Sequence, residues 1–343
     1  MTENEVNDIA KCGIYKNAPL NGKVEETHIS WVILTRKHAF KVKKPVRLDF
    51  LDFSSVEYRK IQCERELELN KRFSDIYLAV EPVRIVNGRW VIGGGDNADV
   101  VDYCVVMRRM AISKRMDNVL RAGRSKPKPI LALAADIAAI HSRAEKNFSH
   151  FEMERGRQTF NEVNTIRDFA IKKIGRHFGD IITQAANRSD EFLKRFARRI
   201  QERIDHGLKR DVHGDLHCRN VFLYNKPVIF DCIEFKDEFR QIDVLYEVAF
   251  LCMDIEAFRH KHLSDLLLAE YKKHFPVFQK KEDHELFGYY KALRANIRAK
   301  VHALQCQQSN NESEVSFQRD ETRKYLVLMN KYMANLNFVR VGY

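Results

Sequence analysis

The sequence predicts an α+β, bilobal chain: a small β-rich N-terminal lobe with one helix over residues 1–109, and a larger, mainly helical C-terminal lobe over 110–343. Three observations carry this. Runs of β-branched and aromatic residues dominate before Arg109, helical periodicity dominates after it, and no Pro/Gly-rich linker, low-complexity tract or internal repeat parts the halves. At 343 residues and 45% hydrophobic, the chain can bury a substantial core.

Residues 29–42 read as a strand hairpin with a polar break at 35–38. A helix follows over about 55–73, because Ser54 and Glu57 have capping-box spacing and Val56, Cys63, Leu67 and Asn70 form one stripe at 3.6 residues per turn. Strands are expected at 79–86, 90–93 and 100–107, the first two joined at Asn87-Gly88. Gly93, Gly94 and Gly95 lie between later strands and read as a hairpin turn, not as a phosphate loop. Helical patterns then cover 131–144, 161–175, 190–206, 243–256, 262–274, 284–304 and 320–338, interrupted by one β-rich island at 221–230.

The bulk numbers exclude several classes. The seven cysteines are scattered singly, with no C-x-x-C pair, so neither a disulfide framework nor a zinc knuckle is indicated and a reducing compartment fits. Glu3, Glu5 and Asp8 replace the basic start of a secretory signal, and the most apolar stretch, 130–140, is interrupted by Asp136 and too short to span a bilayer. A cytoplasmic protein with no membrane partner is expected. The net charge of +12, from 59 Lys+Arg against 47 Asp+Glu, suits a polyanion such as a nucleotide, but many basic residues sit in helical patterns that read as solvated faces, so no nucleic-acid partner is expected.

The chemistry-bearing segment is His213-Gly214-Asp215-Leu216-His217-Cys218-Arg219-Asn220, followed by Ile229-Phe230-Asp231. A phosphotransferase catalytic loop of the kinase type needs an Asp near the acceptor hydroxyl, an Asn five positions later for a metal ion, and a further Asp that chelates metal. Two apolar runs around Asn225-Lys226 predict a hairpin that places Asn220 opposite Asp231, with Cα atoms about 4.5–5.5 Å apart, close enough to share one Mg²⁺. Pro227 lacks the N–H of a two-residue turn, so a four-residue loop over 224–227 in the same register is expected. His213 and His217 lack a third nitrogen or sulfur ligand; His213 reads as a structural anchor. Glu234 reads as a contact to loop, metal or acceptor, and Arg240 and Asp243 as buried support.

HGDLHCRN with VIFDCIEF resembles the signature of aminoglycoside phosphotransferase-like kinases, a branch of the protein-kinase-like fold that includes choline and other small-molecule kinases. Further segments, among them ETHISWVILT, CERELELN and YKALRANIRAKV, resemble a bacterial subgroup often fused to a P-loop ATPase domain, and together they span residues 26–301. No G-x-x-x-x-G-K-[ST] occurs here, so the resemblance implies the kinase part only. It also implies ATP or GTP and Mg²⁺ as cofactors. Ala39-Phe40-Lys41 matches the A-x-K pattern, the alanine facing the adenine and Lys41 reaching the α- and β-phosphates, with Lys43 on the same face as fallback. Glu64 and Glu66 flank the helix stripe on opposite sides; periodicity does not choose between them, and the resemblance favours Glu66 as partner of the lysine. In place of a glycine-rich loop stand residues 26–30, which would cradle phosphate through backbone N–H groups and the Thr27 and Ser30 hydroxyls. Met107 and Arg109, at the junction of the halves, complete the nucleotide-binding candidates.

The expected activity is transfer of the nucleotide γ-phosphoryl to a small-molecule hydroxyl, with Asp215 orienting or deprotonating the acceptor and Asn220 and Asp231 as metal ligands. Eight acidic residues against two basic ones between Asp231 and Glu256 would suit a cationic acceptor, while +12 overall and the metal and core roles of those carboxylates argue against one; an aminoglycoside acceptor is not expected. Two rivals are a nucleotide-binding pseudokinase or scaffold, opposed by the intact Asp215, Asn220 and Asp231, and a kinase acting on protein hydroxyls, opposed by the lack of an activation segment between Asp231 and Arg240.

Overall fold

The computed structural model describes residues 1–48, 51–95 and 100–337. The chain divides into two compact units. The first comprises Met1–Arg115 with Asn220–Phe222 and Val228–Phe239; the second comprises Met116–Arg219, Leu223–Pro227 and Arg240–Tyr343. The first unit thus runs past the change of character at Arg109 and takes in two short segments from the C-terminal half.

The first unit holds, in chain order, α1 (Glu3–Cys12), β1 (Ile14–Tyr15), β2 (Ala18–Pro19), β3 (Lys23–Glu26), β4 (Ser30–Leu34), β5 (His38–Lys43), β6 (Arg47–Leu48), β7 (Leu51–Asp52), α2 (Val56–Lys71), β8 (Tyr77–Val86), β9 (Arg89–Ile92) and β10 (Val100–Arg108). Eight of these strands form one sheet in the order β2-β1-β9-β8-β10-β5-β4-β3, antiparallel except where β1 runs parallel to β9. The expected hairpin over 29–42 is β4 and β5, pairing Ser30 with Lys43 and Leu34 with Ala39. Asn87 and Gly88 both have positive φ, the conformation a two-residue hairpin turn requires.

Strand alternation gives this sheet two different faces. Trp31, Ile33, Phe40, Val42, Cys104 and Val106 point one way and pack with Val6, Ile9 and Ala10 of α1. The sequence reading has no helix there. Its acidic first turn is a capping box, in which Glu5 N–H donates to the Thr2 hydroxyl and Thr2 N–H donates to the Glu5 carboxylate. On the other face Ala39, Val105 and Met107 pack with Cys63 of α2 and with Ile76 and Tyr77.

The N-cap of α2 is Ser55, whose hydroxyl accepts from Tyr58 N–H, while Ser54 bonds to Asp52; the expected Ser54–Glu57 capping box is shifted by one residue. The buried stripe of α2 is Arg59, Gln62, Cys63, Glu66 and Asn70, largely polar. Arg59 donates to both oxygens of Asp102 on β10 and to the Phe53 and Ser54 carbonyls, an ion pair shielded from water that fixes the helix to the sheet.

The second unit begins with α3 (Met116–Arg121), α4 (Pro127–Arg143), α5 (Met153–Asn161), α6 (Arg167–Lys173), α7 (His177–Asp205) and β11 (Lys209–Asp211). The short strands β12 (Val221–Phe222) and β13 (Val228–Ile229) belong to the first unit. The chain then continues the second unit with β14 (Gln241–Asp243), α8 (Val244–Ala257), α9 (Lys261–His274), α10 (Glu282–Gln308) and α11 (Glu312–Ala334).

The expected helix at 190–206 is the second half of α7, whose first half buries Phe178 and Ile182 together with the small residues Gly179, Ala185, Ala186 and Ser189, a weaker apolar stripe than Phe192, Leu193, Phe196 and Ile200 provide in the second half. The pattern at 161–175 opens as a 3₁₀ segment, Glu162–Ile166, before α6. The last helix starts at Glu312, capped by the Asn311 side chain, and not at 320; its expected end at 338 lies outside the described residues. The core of this unit is α8, buried round nearly its whole circumference, with α9 and α10 packed on it. Among the described residues no helix is long and apolar enough to cross a membrane.

Candidate active site

In the first unit the two candidate lysines stand on the α2 face of β5, two residues apart. Lys41 Nζ donates to Glu66 Oε1 at 2.8 Å and to Asp231 Oδ1 at 2.7 Å. Lys43 Nζ donates to Glu66 Oε2 at 2.8 Å and to Glu234. Both lysines therefore hold Glu66, and the choice left open by periodicity falls on that residue: Glu64 is exposed and, among the described residues, its ion pair is with Lys60, one turn away. Burial would depress the Lys41 ammonium, but Asp231 and Glu66 raise its pKa well above the ordinary value. Burial likewise opposes ionisation of Glu66, and the two ammoniums overcome it and hold the carboxyl below its usual range. Glu234 is pushed up, by burial first and by Glu66 second.

Asp231 lies in the left-handed region at φ 63°. Its N–H donates to the Tyr77 hydroxyl at 2.9 Å and the next N–H, of Cys232, to Asn70 Oδ1 at 2.8 Å; Asn70 in turn donates to the Glu66 carbonyl. These contacts, with Lys41 and Lys43, tie the 231–234 segment to α2, β5 and β8. Asn70 and Tyr77 are neighbours of the candidate site that the sequence reading misses. The available signal was a polar Asn in an inward-facing stripe, a group that needs a hydrogen-bond partner when buried.

The ribbon after Asn220 differs from expectation by one residue. β12 and β13 pair Val221 with Ile229 and Phe222 with Val228, and Phe230 N–H donates to the Asn220 carbonyl at 3.1 Å, so Asn220 faces Phe230 and not Asp231. A five-residue connection, 223–227, accommodates Pro227 outside the ladder, and the left-handed turn at Asp231 redirects the chain immediately after the paired segment. Phe230 stacks on Phe222 and packs into the α2-side core.

The nucleotide candidates fall into two groups. Ala39 and Met107 are register partners on β5 and β10 within that core, and the Arg109 guanidinium donates to the Thr35 carbonyl at 2.5 Å. The turn between β3 and β4 closes on itself: the Thr27 hydroxyl donates to the Ser30 carbonyl and accepts from Ser30 N–H, while the Ser30 side chain is fully buried. The Ser30 hydroxyl is buried away from any ligand, whereas Thr27 is exposed with its hydroxyl engaged in closing the turn. Thr27 and Ser30 instead shape a turn that stands where a glycine-rich loop would.

In the second unit the loop around Asp215 is held by carboxylates on α8. Glu247 accepts from His213 N–H at 2.9 Å and Gly214 N–H at 2.6 Å, and Asp254 accepts from Cys218 N–H at 2.9 Å. These residues are seven apart, two helical turns and about 10 Å along one face, so they grip the loop on either side of Asp215. Each has a second-layer partner: His141 Nε2 for Glu247, and the Tyr325 hydroxyl for Asp254. Burial opposes both charges, and the hydrogen bonds and neighbouring cations overcome it, leaving both pKa values lowered. Gly214 has φ 85°, where a Cβ would be strained.

The Asp215 carboxylate is 41% exposed. Arg219 N–H donates to His217 Nδ1, and His217 Nε2 stands 3.3 Å from Asp215 Oδ2. Desolvation raises the Asp215 pKa, but His217, His213 and Arg294 more than offset it and hold the group well below the usual carboxylate range. His213 is fully buried, and its Nδ1 accepts from Asp215 N–H. Arg240 grips Asp211, and Asp243 takes a bidentate bond from Arg203, both beneath the strand pair that leads into the loop.

The acidic run from Asp231 to Glu256 is committed internally. Asp231 and Glu234 hold lysines, Asp237 pairs with Arg65, Glu238 with Lys236, Asp243 with Arg203 and Glu256 with Lys291, while Glu247 and Asp254 bind the loop. It is largely an ion-pair framework, with Asp231, Asp237 and Glu238 remaining half-exposed.

An antiparallel sheet carrying a Lys–Glu pair in one unit and a helical body carrying the H-G-D loop in the other are the parts of an α+β protein-kinase-like fold. Solved structures of the same fold include a choline/ethanolamine kinase family protein from Mesorhizobium loti, with TM-score 0.51 and 12% identity over 96% of this chain and 100% of that one. Another is a Ralstonia eutropha protein provisionally described as an aminoglycoside phosphotransferase, with TM-score 0.54 and 10% identity over 93% of this chain and 94% of that one. In sequence the chain is 33% identical over 296 residues to the uncharacterised proteins Rv2004c of Mycobacterium tuberculosis and Mb2027c of Mycobacterium bovis. The match covers 84% of this chain and 56% of theirs, so the chain spans about half the length of these curated relatives. No family model matches.

Proposed function

We propose that this chain is a nucleotide-dependent phosphotransferase that moves the γ-phosphoryl of Mg-ATP or Mg-GTP onto a hydroxyl of a small molecule. The observation that carries the reading is Lys41, whose ammonium is bound at once by a helix glutamate and by an aspartate 190 residues away in sequence. A structural lysine needs one partner. A second carboxylate, itself 45% exposed and with its other oxygen unbonded among the described residues, is what a metal-phosphate site requires.

The donor set fits magnesium: Asp231 and Asn220 offer hard oxygens, and Mg²⁺ commonly takes one or two protein groups and leaves its remaining positions to water and phosphate. When bound, the ion would neutralise charge on the transferring phosphoryl. Lys41 then exchanges Asp231 for phosphate oxygens, with Glu66, itself held by Lys43, keeping it aimed. One P–O bond to the nucleoside diphosphate breaks, one to the acceptor oxygen forms, and the hydroxyl proton leaves by way of Asp215 to water. A carboxylate held this far below neutral pH is a weak base, so Asp215 serves mainly to orient the hydroxyl through an accepted hydrogen bond and takes the proton late.

The test is release of nucleoside diphosphate by the purified chain with Mg²⁺ and a metabolite library, comparing wild type with Asp215→Ala. Acceptor-stimulated turnover abolished in the variant, with nucleotide affinity retained, is the expected result. Nucleotide binding with no turnover for any acceptor would favour a scaffold.

A further inference from the structure

We infer that the acceptor hydroxyl belongs to an anionic small molecule, one bearing a carboxylate or phosphate group, which Arg294 and Arg298 hold beside Asp215; the inference rests on the phosphotransferase reading. Both arginines project from α10 four residues apart, on one face of the helix. Arg294 donates to the Gly214 carbonyl at 3.1 Å, within the peptide preceding Asp215, and Arg298 is near enough to feel the Asp215 and Asp254 charges.

Arg294 is only 7% exposed, yet neither it nor Arg298 makes an ion pair among the described residues, and the Nε of each is buried without a hydrogen-bond partner. A buried guanidinium normally has a carboxylate against it, as Arg59, Arg199 and Arg203 do here. Arg298 instead donates to a histidine, His302. Two cations beside the reacting carboxylate are thus left without a paired counter-charge.

Two further observations set the sign of the ligand. The aromatic faces near Asp215 that would receive a cationic head group are already covered, since the Arg294 guanidinium lies 3.8 Å over the Tyr246 ring and 4.5 Å from the Phe250 ring centre. The net charge is also unevenly shared: the second unit holds 38 Lys+Arg against 27 Asp+Glu, the first 21 against 20. Almost the whole surplus lies in the unit that carries Asp215, where it would draw anions inward. A guanidinium fork accepts carboxylate and phosphate alike, so the shared chemistry is the anion, and the test separates its sources.

The experiment measures ADP release from Mg-ATP by the full chain with three acceptor classes at equal concentration: choline and ethanolamine; glycerol and ribose; glycerate and ribose 5-phosphate. The anionic class alone is expected to stimulate, glycerate or ribose 5-phosphate telling carboxylate from phosphate, with an effect that weakens as salt is added. Arg294→Lys and Arg298→Gln should each raise the KM for the anion about tenfold, the worth of one charge-assisted hydrogen bond, without changing the KM for ATP. Lys172→Ala/Lys173→Ala, which lowers the unit's charge on the exposed side of α6, should leave that KM within about twofold. Stimulation by a cationic or neutral compound overturns the inference while leaving phosphotransfer standing. So does ATP binding without stimulation by any of the three classes, or a Lys172/Lys173 effect equal to that of Arg294. If ATP itself fails to bind, the phosphotransferase reading falls first, and this inference with it.

Discussion

Lys41 and Asp215 are set by opposite means. Around Lys41 charge is balanced side chain to side chain: two ammoniums and three carboxylates interlock on one face of a sheet, and the backbone is held mostly by ordinary strand pairing. Around Asp215 the catalytic candidate has a histidine nitrogen 3.3 Å from its carboxylate, and buried carboxylates on α8 are bonded to the N–H groups of the loop itself. The first arrangement fixes where charges are; the second fixes where a peptide runs. A group that must move to a ligand, as the proposed transfer asks of Lys41, can do so when its partners are side chains that re-pair. A group that must stay put is better held through its backbone.

That contrast can be broken experimentally. Asp215→Ala should lower kcat roughly 1,000-fold, in the range of a lost acid–base or orienting group, with melting temperature little changed, because Asp215 is half-exposed and the loop hangs from α8. A large loss of stability in that variant would mean the carboxylate itself holds the loop. Lys41→Met and Lys43→Met should part company. The first should cost activity, about 100-fold or more if Lys41 stabilises the transferring charge. The second leaves Glu234 buried and unpaired and should destabilise the first unit by about 3–5 kcal/mol in denaturant titration. Equal effects from the two would show that they do one job.

Glu247→Gln keeps one acceptor for two N–H donors and should cost about 1–3 kcal/mol in unfolding free energy. Acid should weaken the same support. Glu247 and Asp254 have folded-state pKa values below their ordinary ones, so their contribution is complete above about pH 5 and is lost as pH falls through the unfolded values near 4 toward the folded ones. Melting curves should fall over that window in wild type and less steeply in Glu247→Gln. The smallest effect belongs to Glu64→Ala, where an exposed helix pair is lost: kcat and melting temperature should match wild type, and a drop in activity would reopen the choice between Glu64 and Glu66.

The strands and helices that carry the candidate site were legible because their patterns are strong. The β4–β5 hairpin, the turn at Asn87-Gly88 and α8 to α10 follow from alternation, turn chemistry and 3.6-residue periodicity. Elements whose inward faces are small or polar were not. The first half of α7 buries only Phe178 and Ile182 as large apolar residues among Gly179, Ala185, Ala186 and Ser189, and α2 turns Arg59, Gln62, Glu66 and Asn70 inward, so an apolar stripe marks its position but not its buried face. The hairpin register slipped by one because Pro227 and a left-handed Asp231 changed the loop length, and a one-residue change in a ladder alters which residues face each other.

The amino-acid sequence by itself determined which groups are present for chemistry and at what spacing: the Asp and Asn five residues apart, the later Asp, and two lysines of one strand parity on a β-branched run. Those are local facts, and local rules read them. Only the tertiary structure decided which glutamate meets the lysines, that both lysines share it, that the acidic run is largely engaged in pairing, and that Arg294 and Arg298 of α10 stand near Asp215 with no ion pair among the described residues. Each of those depends on burial and on partners tens to hundreds of residues away, where the energy of a charge is set by what surrounds it and not by its neighbours in the chain.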